Sequence, residues 1–311
     1  MIIRTATILL FLIVMVFAKS KQDAKSKKTF PGQDQWEKDY LNECYEAEDD
    51  ELDEEGSGEE FVCLSYLWNY ELVNLELMRA FPPILAYRGF VPKKHVEDLL
   101  RDIKTAKARK TSSDVKLHAT EIVFKHKEKP SVARLFNRLK TLIPFMNFDA
   151  SDPWQVLIFK KNQHYAPRYD FLGYGDGLEE DTLMNRLGNR FATFMITLKS
   201  ADQGGATVFP MTGGTYHMEP GDAILWTNMD ASREKEMSSL HGDCPVKKGE
   251  RVIAILRLRE REQYLLKSVL PGGFFNFEML ARPNLKYLEM TPKFDFDFVP
   301  PQDFDYPMVD E

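Results

Sequence analysis

W-Q-V-L-I-F-K-K-N-Q-H-Y-A-P-R-Y-D-F (154–171) opens the part of the chain that decides the fold. G-N-R-F-A-T-F-M-I-T-L (188–198), G-G-A-T-V-F-P (204–210), G-D-A-I-L-W-T-N (221–228) and H-G-D-C-P-V-K-K-G-E-R (241–251) follow it in order. These are short apolar, β-branched and aromatic runs separated by Gly, Pro and Asn, the signature of short strands with tight turns. Strands are expected over 154–160, 164–171, 191–199, 205–209, 222–228 and 251–259. Many short strands with few helices between them point to a sandwich, barrel or jelly roll.

Ahead of this region the period changes. Val96, Leu99, Leu100 and Ile103 recur at helical spacing after Pro92, and Val132, Leu135, Phe136, Leu139 and Leu142 do so from Ser131 until Pro144. Pro82-Pro83-Ile-Leu-Ala-Tyr87 reads as an opening strand. Order is expected from about Phe61, after a polar, Lys-rich lead-in and an acidic run that cannot bury apolar surface. Residues 42–60 carry eleven acids and no base, so the net charge of −7 is local and suggests no nucleic-acid partner.

Arg4, the apolar run from Ile8 to Phe17 and Val16-Phe-Ala18 have the form of a signal peptide over 1–18. The run is shorter than the ~20 residues a membrane span needs, so no membrane anchor is expected. Of the three cysteines, Cys44 and Cys63 flank the acidic run, and a local disulfide between them is the simplest pairing. Cys244 is then free or pairs between chains.

A mononuclear non-haem Fe(II) oxygenase offers two histidines and one carboxylate on one face and leaves the opposite positions open. Asp170 supplies a carboxylate and His241 a late histidine. Arg251, ten residues beyond His241, is a guanidinium able to grip a carboxylate of a co-substrate. Singly these are a turn cap, a structural histidine and a surface charge; the ordered set points to a metal. Two residues before Asp170, on the same strand face, stands Arg168, which has no lone pair to give. His164 lies a further four residues back, about 13 Å along an extended strand, out of reach without a bulge. His217 reads as a turn residue, and His95, His118 and His126 as structural.

Together with F-P-P-I-L-A-Y (81–87), these blocks resemble the catalytic domain of prolyl 4-hydroxylase alpha subunits, within the 2-oxoglutarate- and Fe(II)-dependent dioxygenases. The similarity runs from about Cys44 to Glu260. It implies an α+β fold with a double-stranded β-helix (jelly-roll) core and flanking amphipathic helices. It implies hydroxylation of prolyl residues in collagen-like, proline-rich peptides with Fe(II), 2-oxoglutarate, O2 and ascorbate, in the endoplasmic reticulum lumen or after secretion. Protein disulfide isomerase or another alpha-subunit-like chain is the partner by resemblance, and a disulfide near Cys44 and Cys63 is supported by it too. Asp170 and His241 take the metal positions, with Arg168 where the first histidine belongs. Arg251 stands for the family's co-substrate lysine, Phe159 for a tyrosine, and Thr207 and Trp226 complete that pocket.

The expected organisation is a signal peptide (1–18), a polar and acidic segment (19–60), a dioxygenase-like domain (61–265, core 154–260) and a C-terminal extension with an acidic-aromatic tail (266–311). Two functions stay open. One is an active dioxygenase in which water fills the missing ligand position. The other is a non-catalytic binding or assembly subunit whose site is closed by an Arg168–Asp170 ion pair.

Overall fold

The structure, a computed structural model, describes residues 28–49, 62–80, 83–108, 114–173, 182–267, 269–270, 274–276 and 278–281. The expected signal peptide, most of the acidic run and the tail lie outside these residues.

A 3-10 turn (Gln33–Gln35) leads into helix α1 (Lys38–Asp49). A hairpin follows, β1 (Val62–Trp68) and β2 (Glu71–Ala80). Asn69 and Tyr70 close it at φ 49° and 63°, the left-handed pair that matches the twist of a two-residue hairpin turn. Next come β3 (Pro83–Arg88), α2 (Lys93–Thr105), β4 (Leu117–His118), β5 (Thr120–Phe124) and α3 (Pro130–Leu142). The strand-rich part holds β6 (Trp154–Phe159), β7 (His164–Arg168), a short α4 (Thr182–Leu187) and β8 (Arg190–Lys199). After them run β9 (Gln203–Gly204), β10 (Thr207–Phe209), β11 (Gly214–Tyr216) and β12 (Ala223–Thr227). Then come β13 (His241–Asp243), β14 (Val246–Lys248) and β15 (Arg251–Arg259), with a short hairpin of Val269–Leu270 and Phe274–Phe275 beyond them.

The described strands form an eight-stranded sheet, β1-β2-β3-β12-β8-β15-β6-β5, a five-stranded sheet, β11-β10-β13-β7-β4, and two short pairs, β9 with β14 and Val269–Leu270 with Phe274–Phe275. Two cores hold them. Buried Val96, Leu99 and Ile103 on α2, with Val132, Leu135, Phe136 and Leu139 on α3, cover one face of the large sheet, against Trp154, Phe194 and Leu256. Between the sheets, Phe159, Met195, Trp226, Ile253 and Ile255 meet Tyr165, Phe209 and Tyr216. This is the double-stranded β-helix with packed helices. No helix among the described residues is long and apolar enough to cross a membrane.

Order begins well before Phe61. Trp36, Leu41 and Cys44 are buried against Ala166, Ala206, Val208 and Cys244, so the N-terminal segment forms a third core on the small sheet. The disulfide is consequently not Cys44–Cys63. Cys44 bonds Cys244, across a sequence separation of 200, and Cys63 is a free, exposed thiol. Cys44 lies three residues after Leu41, on the helix face that docks, and Cys244 follows β13 directly beneath it. Cys63 sits on β1, the edge strand at the far end of the large sheet. Proximity in sequence across the acidic run did not carry over into space. In the native protein, alkylation followed by peptide mapping is expected to label Cys63 alone. Cys44→Ser is expected to destabilise by roughly 2–5 kcal/mol, as removal of a disulfide that closes a long loop does.

Candidate functional site: a buried arginine–carboxylate network

The strand period of two builds the site. On β15, Val252, Ala254, Leu256 and Leu258 belong to the helix-side core and Ile253 and Ile255 to the inter-sheet core. Arg251 and Arg257 share the inward phase. On β13, His241 and Asp243 share a face for the same reason. In register, His241 lies opposite Arg168, Asp243 opposite Thr207, and Arg257 opposite Thr193. All of these side chains converge between the sheets and are buried.

The Asp243 carboxylate is the first hub. Arg251 Nη1 donates to its Oδ1 at 2.7 Å, Thr207 Oγ1 donates to the same oxygen at 3.1 Å, and Arg168 Nη2 donates to Oδ2 at 3.1 Å. Arg251 Nη2 also donates to Thr207 Oγ1 at 2.6 Å, closing a three-residue ring. The Gly204-Gly205 pair makes room for it: Gly205 sits at φ +72°, and a Cβ there would come within 3.2 Å of Arg251 Cδ. The Arg168 guanidinium is stacked on Tyr165, 3.3 Å from the ring centroid.

Asp170 is the second hub. Arg257 Nε donates to Oδ1 at 2.7 Å and Thr193 Oγ1 to Oδ2 at 2.7 Å. Asn228 Nδ2 donates in turn to Thr193 Oγ1 at 2.9 Å, and Arg257 Nη1 to Gln155 Oε1 at 2.7 Å. A third unit extends the row, with Arg190 and Arg259 both on Asp152 at 2.9 and 2.5 Å. Burial alone would raise the Asp170 pKa, but Arg257, then His241, Arg168 and Arg190, hold the carboxyl well below its usual range. Asp243 is likewise lowered against its burial by Arg251 and Arg168. Burial works against the Arg257 charge, and Asp170 more than restores it.

His241 Nδ1 lies 2.8 Å from the Ser239 carbonyl, so it carries the proton and donates. Nε2 then presents a lone pair, 3.6 Å from Asp170 Oδ2. Asp170 and His241 are therefore brought together as expected. The expected Arg168–Asp170 pair is not formed: Asp170 lies beyond the end of β7, where Thr193 and Arg257 take it, and Arg168 turns to Asp243. Phe159 lies under Arg251, its ring centroid 5.9 Å from the guanidinium carbon, Thr207 belongs to the Asp243 hub, and the Trp226 ring stands 4.8 Å from that of His241. Asp243, Arg257 and Thr193 were missed, although Asp243 and Arg257 follow from counting in twos from His241 and Arg251.

His164 plays another part. It stacks on His118 at 4.6 Å, accepts from Trp36 Nε1 at 3.0 Å through Nδ1, and donates to the Pro31 carbonyl at 2.8 Å through Nε2. It fastens the N-terminal segment to the small sheet. Burial pushes both His164 and His241 down to about 4. A histidine whose folded pKa lies below its unfolded value of about 6.5 adds stability at high pH and loses it as pH falls toward the folded value. The urea midpoint is expected to fall progressively from pH 6.5 to pH 4. A flat midpoint over that window would contradict the buried neutral state of both rings.

An Fe(II) site of the expected kind does not fit these residues. Two donors converge, but the third ligand position holds the Arg168 guanidinium, and Arg257 lies on one of the two Asp170 oxygens. Among the described residues no group of three His, Cys, Asp or Glu side chains is placed to share a metal. Arg251, the cation expected to hold a co-substrate carboxylate, is already paired with Asp243.

No family model matches the chain. Among curated proteins it is 27% identical over 240 residues to prolyl 4-hydroxylase 5 of Arabidopsis thaliana, covering 68% of this chain and 76% of that one. It is 32% identical over 138 residues to human prolyl 4-hydroxylase subunit alpha-1, covering 44% of this chain and 25% of the relative. The chain thus spans about a quarter of the animal alpha-1 subunits it matches. Among solved structures, the 2-oxoglutarate complex of the viral collagen prolyl hydroxylase from Paramecium Bursaria Chlorella virus-1 superposes with a TM-score of 0.43 at 24% identity. That match covers 57% of this chain and 95% of that one. By sequence, the chain is similar to prolyl 4-hydroxylases of plants and animals.

Proposed function

We propose that the chain is a non-catalytic relative of the prolyl 4-hydroxylases that serves as a binding or assembly subunit in the secretory pathway. The observation that carries this reading is the 2.7 Å contact of Arg257 Nε with Asp170 Oδ1. The protein's own cation neutralises the carboxylate that would ligate iron. A carboxylate of its own, Asp243, likewise occupies Arg251, where a co-substrate carboxylate would be held. Each absent group has an internal replacement of the same charge sign. The ligand class we assign is an extended proline-rich or collagen-like peptide; protein disulfide isomerase or an alpha-subunit-like chain is the assembly partner proposed by resemblance.

The second reading, proline hydroxylation with Fe(II), 2-oxoglutarate, O2 and ascorbate, is favoured by the names of the sequence relatives. Anaerobic titration of the folded chain with Fe(II) and 2-oxoglutarate separates the two. The expected result is no saturable visible charge-transfer band. Fluorescence anisotropy of a labelled proline-rich peptide is expected to give the same Kd with iron and with chelator. A saturable band, or peptide-dependent succinate formation, would restore the enzymatic reading.

A further inference from the structure

At the Asp243 hub the charges do not balance. Two guanidinia, Arg168 and Arg251, share the single carboxylate of Asp243. Arg251 makes the closer contact, at 2.7 Å, and adds Thr207. Arg168 keeps one bond, at 3.1 Å, while its Nε and Nη1 are buried without a partner. The side chain is 8% exposed, so bulk water does not serve those N–H groups. Two further buried atoms, on His241 and on the ring packed against it, also lack a partner. One is His241 Nε2, whose lone pair, on the residue opposite Arg168 in the sheet register, a bound anion has to avoid. The other is Trp226 Nε1, on the ring that packs edge-on against His241. Leaving a buried charged donor unpaired costs more than leaving a neutral one, and native structures rarely do so.

We propose that this corner is a binding site for one small monovalent anion, of the size of a halide, nitrate or formate, held by Arg168 and bordered by the Trp226 indole. The ligand class follows from the open groups: two N–H donors on a buried cation whose guanidinium is stacked on the Tyr165 ring. A dianion would overcompensate the single unbalanced charge. A large anion does not suit a corner this enclosed. No metal is required, so the proposal stands or falls separately from the iron titration above.

The test is thermal unfolding of the full chain at constant ionic strength, replacing gluconate stepwise by bromide, nitrate or formate. The small anions are expected to raise Tm along a saturable curve, since a ligand of the native state stabilises by mass action. Arg168→Lys keeps the charge but loses the planar donors, and is expected to shift half-saturation at least tenfold. Trp226→Phe removes the indole N–H and keeps an aromatic ring there, and keeps the test decisive if the Arg168 variant does not fold. It is expected to shift half-saturation several-fold. Crystals grown in bromide are expected to show anomalous density within hydrogen-bonding distance of Arg168. A linear salt effect, equal in all variants, would overturn the proposal. So would bromide density that avoids Arg168.

Discussion

Arg168→His is expected to leave the chain without Fe(II)- and 2-oxoglutarate-dependent absorbance, although it supplies the missing histidine. The reason is Arg257. Its guanidinium sits on Asp170 as a fixed cation, and any metal ion on that carboxylate would have to enter against it. At a separation of about 4 Å and an effective dielectric constant near 20, two unit charges interact by roughly 4 kcal/mol and a divalent ion with one guanidinium by about 8 kcal/mol, on the order of a millionfold in affinity. Replacing Arg257 by Gln removes that charge and leaves a hydrogen-bonding side chain near Gln155. Asp243 is the remaining obstacle, because it holds Arg251 away from an incoming carboxylate. The combined Arg168→His, Asp243→Ala, Arg257→Gln variant is therefore expected to gain a saturable band that each single substitution lacks. Near-ultraviolet circular dichroism checks that the fold survives. A band from Arg168→His alone would mean that the Asp170–Arg257 pair yields to metal, and that Arg168 by itself is what keeps the natural chain from binding it. No band from the folded triple variant would place the lesion elsewhere, in the geometry of the two remaining donors.

Much of the scaffold is legible because its signals are local. The apolar phases of α2 and α3, the Pro residues that start them, and the Gly- and Pro-bounded strands from Trp154 onward match the observed elements to within a few residues. Asp170 and His241 were legible as a pair from their order and chemistry. What the sequence hid were partners chosen by tertiary contact. Arg168 and Asp170 are two residues apart, and that spacing suggests a pair; the end of β7 between them sends one to Asp243 and the other to Arg257. Cys44 and Cys63 bracket one loop, yet α1 carries Cys44 onto the small sheet and β1 carries Cys63 to the edge of the large one. For both pairs, closeness in sequence is not closeness in space. Arg257 went unread because an arginine inside V-I-A-I-L-R-L looks like a surface charge until β15 is known to be covered on both faces.

Asp170→Asn is expected to destabilise the chain by about 3–5 kcal/mol, the range for breaking a buried ion pair from one side. The substitution is nearly isosteric, so lost packing is a minor part. What remains is Arg257, buried with no compensating charge on its Nε, and Thr193 donating to a weaker acceptor. Arg257→Met is expected to be costly in the same way, because it leaves Asp170 buried and charged beside His241. The double variant removes both charges and is expected to recover most of the loss. Double-mutant cycles on urea unfolding at pH 7 give the coupling energy directly, expected at 2 kcal/mol or more, within the range for residues of one network. A carboxylate reserved for a metal behaves in the opposite way. In the metal-free protein it has no fixed cation beside it, and neutralising it costs little stability while abolishing turnover. The cycle thus separates a site that has become a structural element from one that waits for iron, without requiring any assay of activity. Additive single effects, with Asp170→Asn near zero, would show that the pair contributes nothing to stability and would remove the main support for a non-catalytic role.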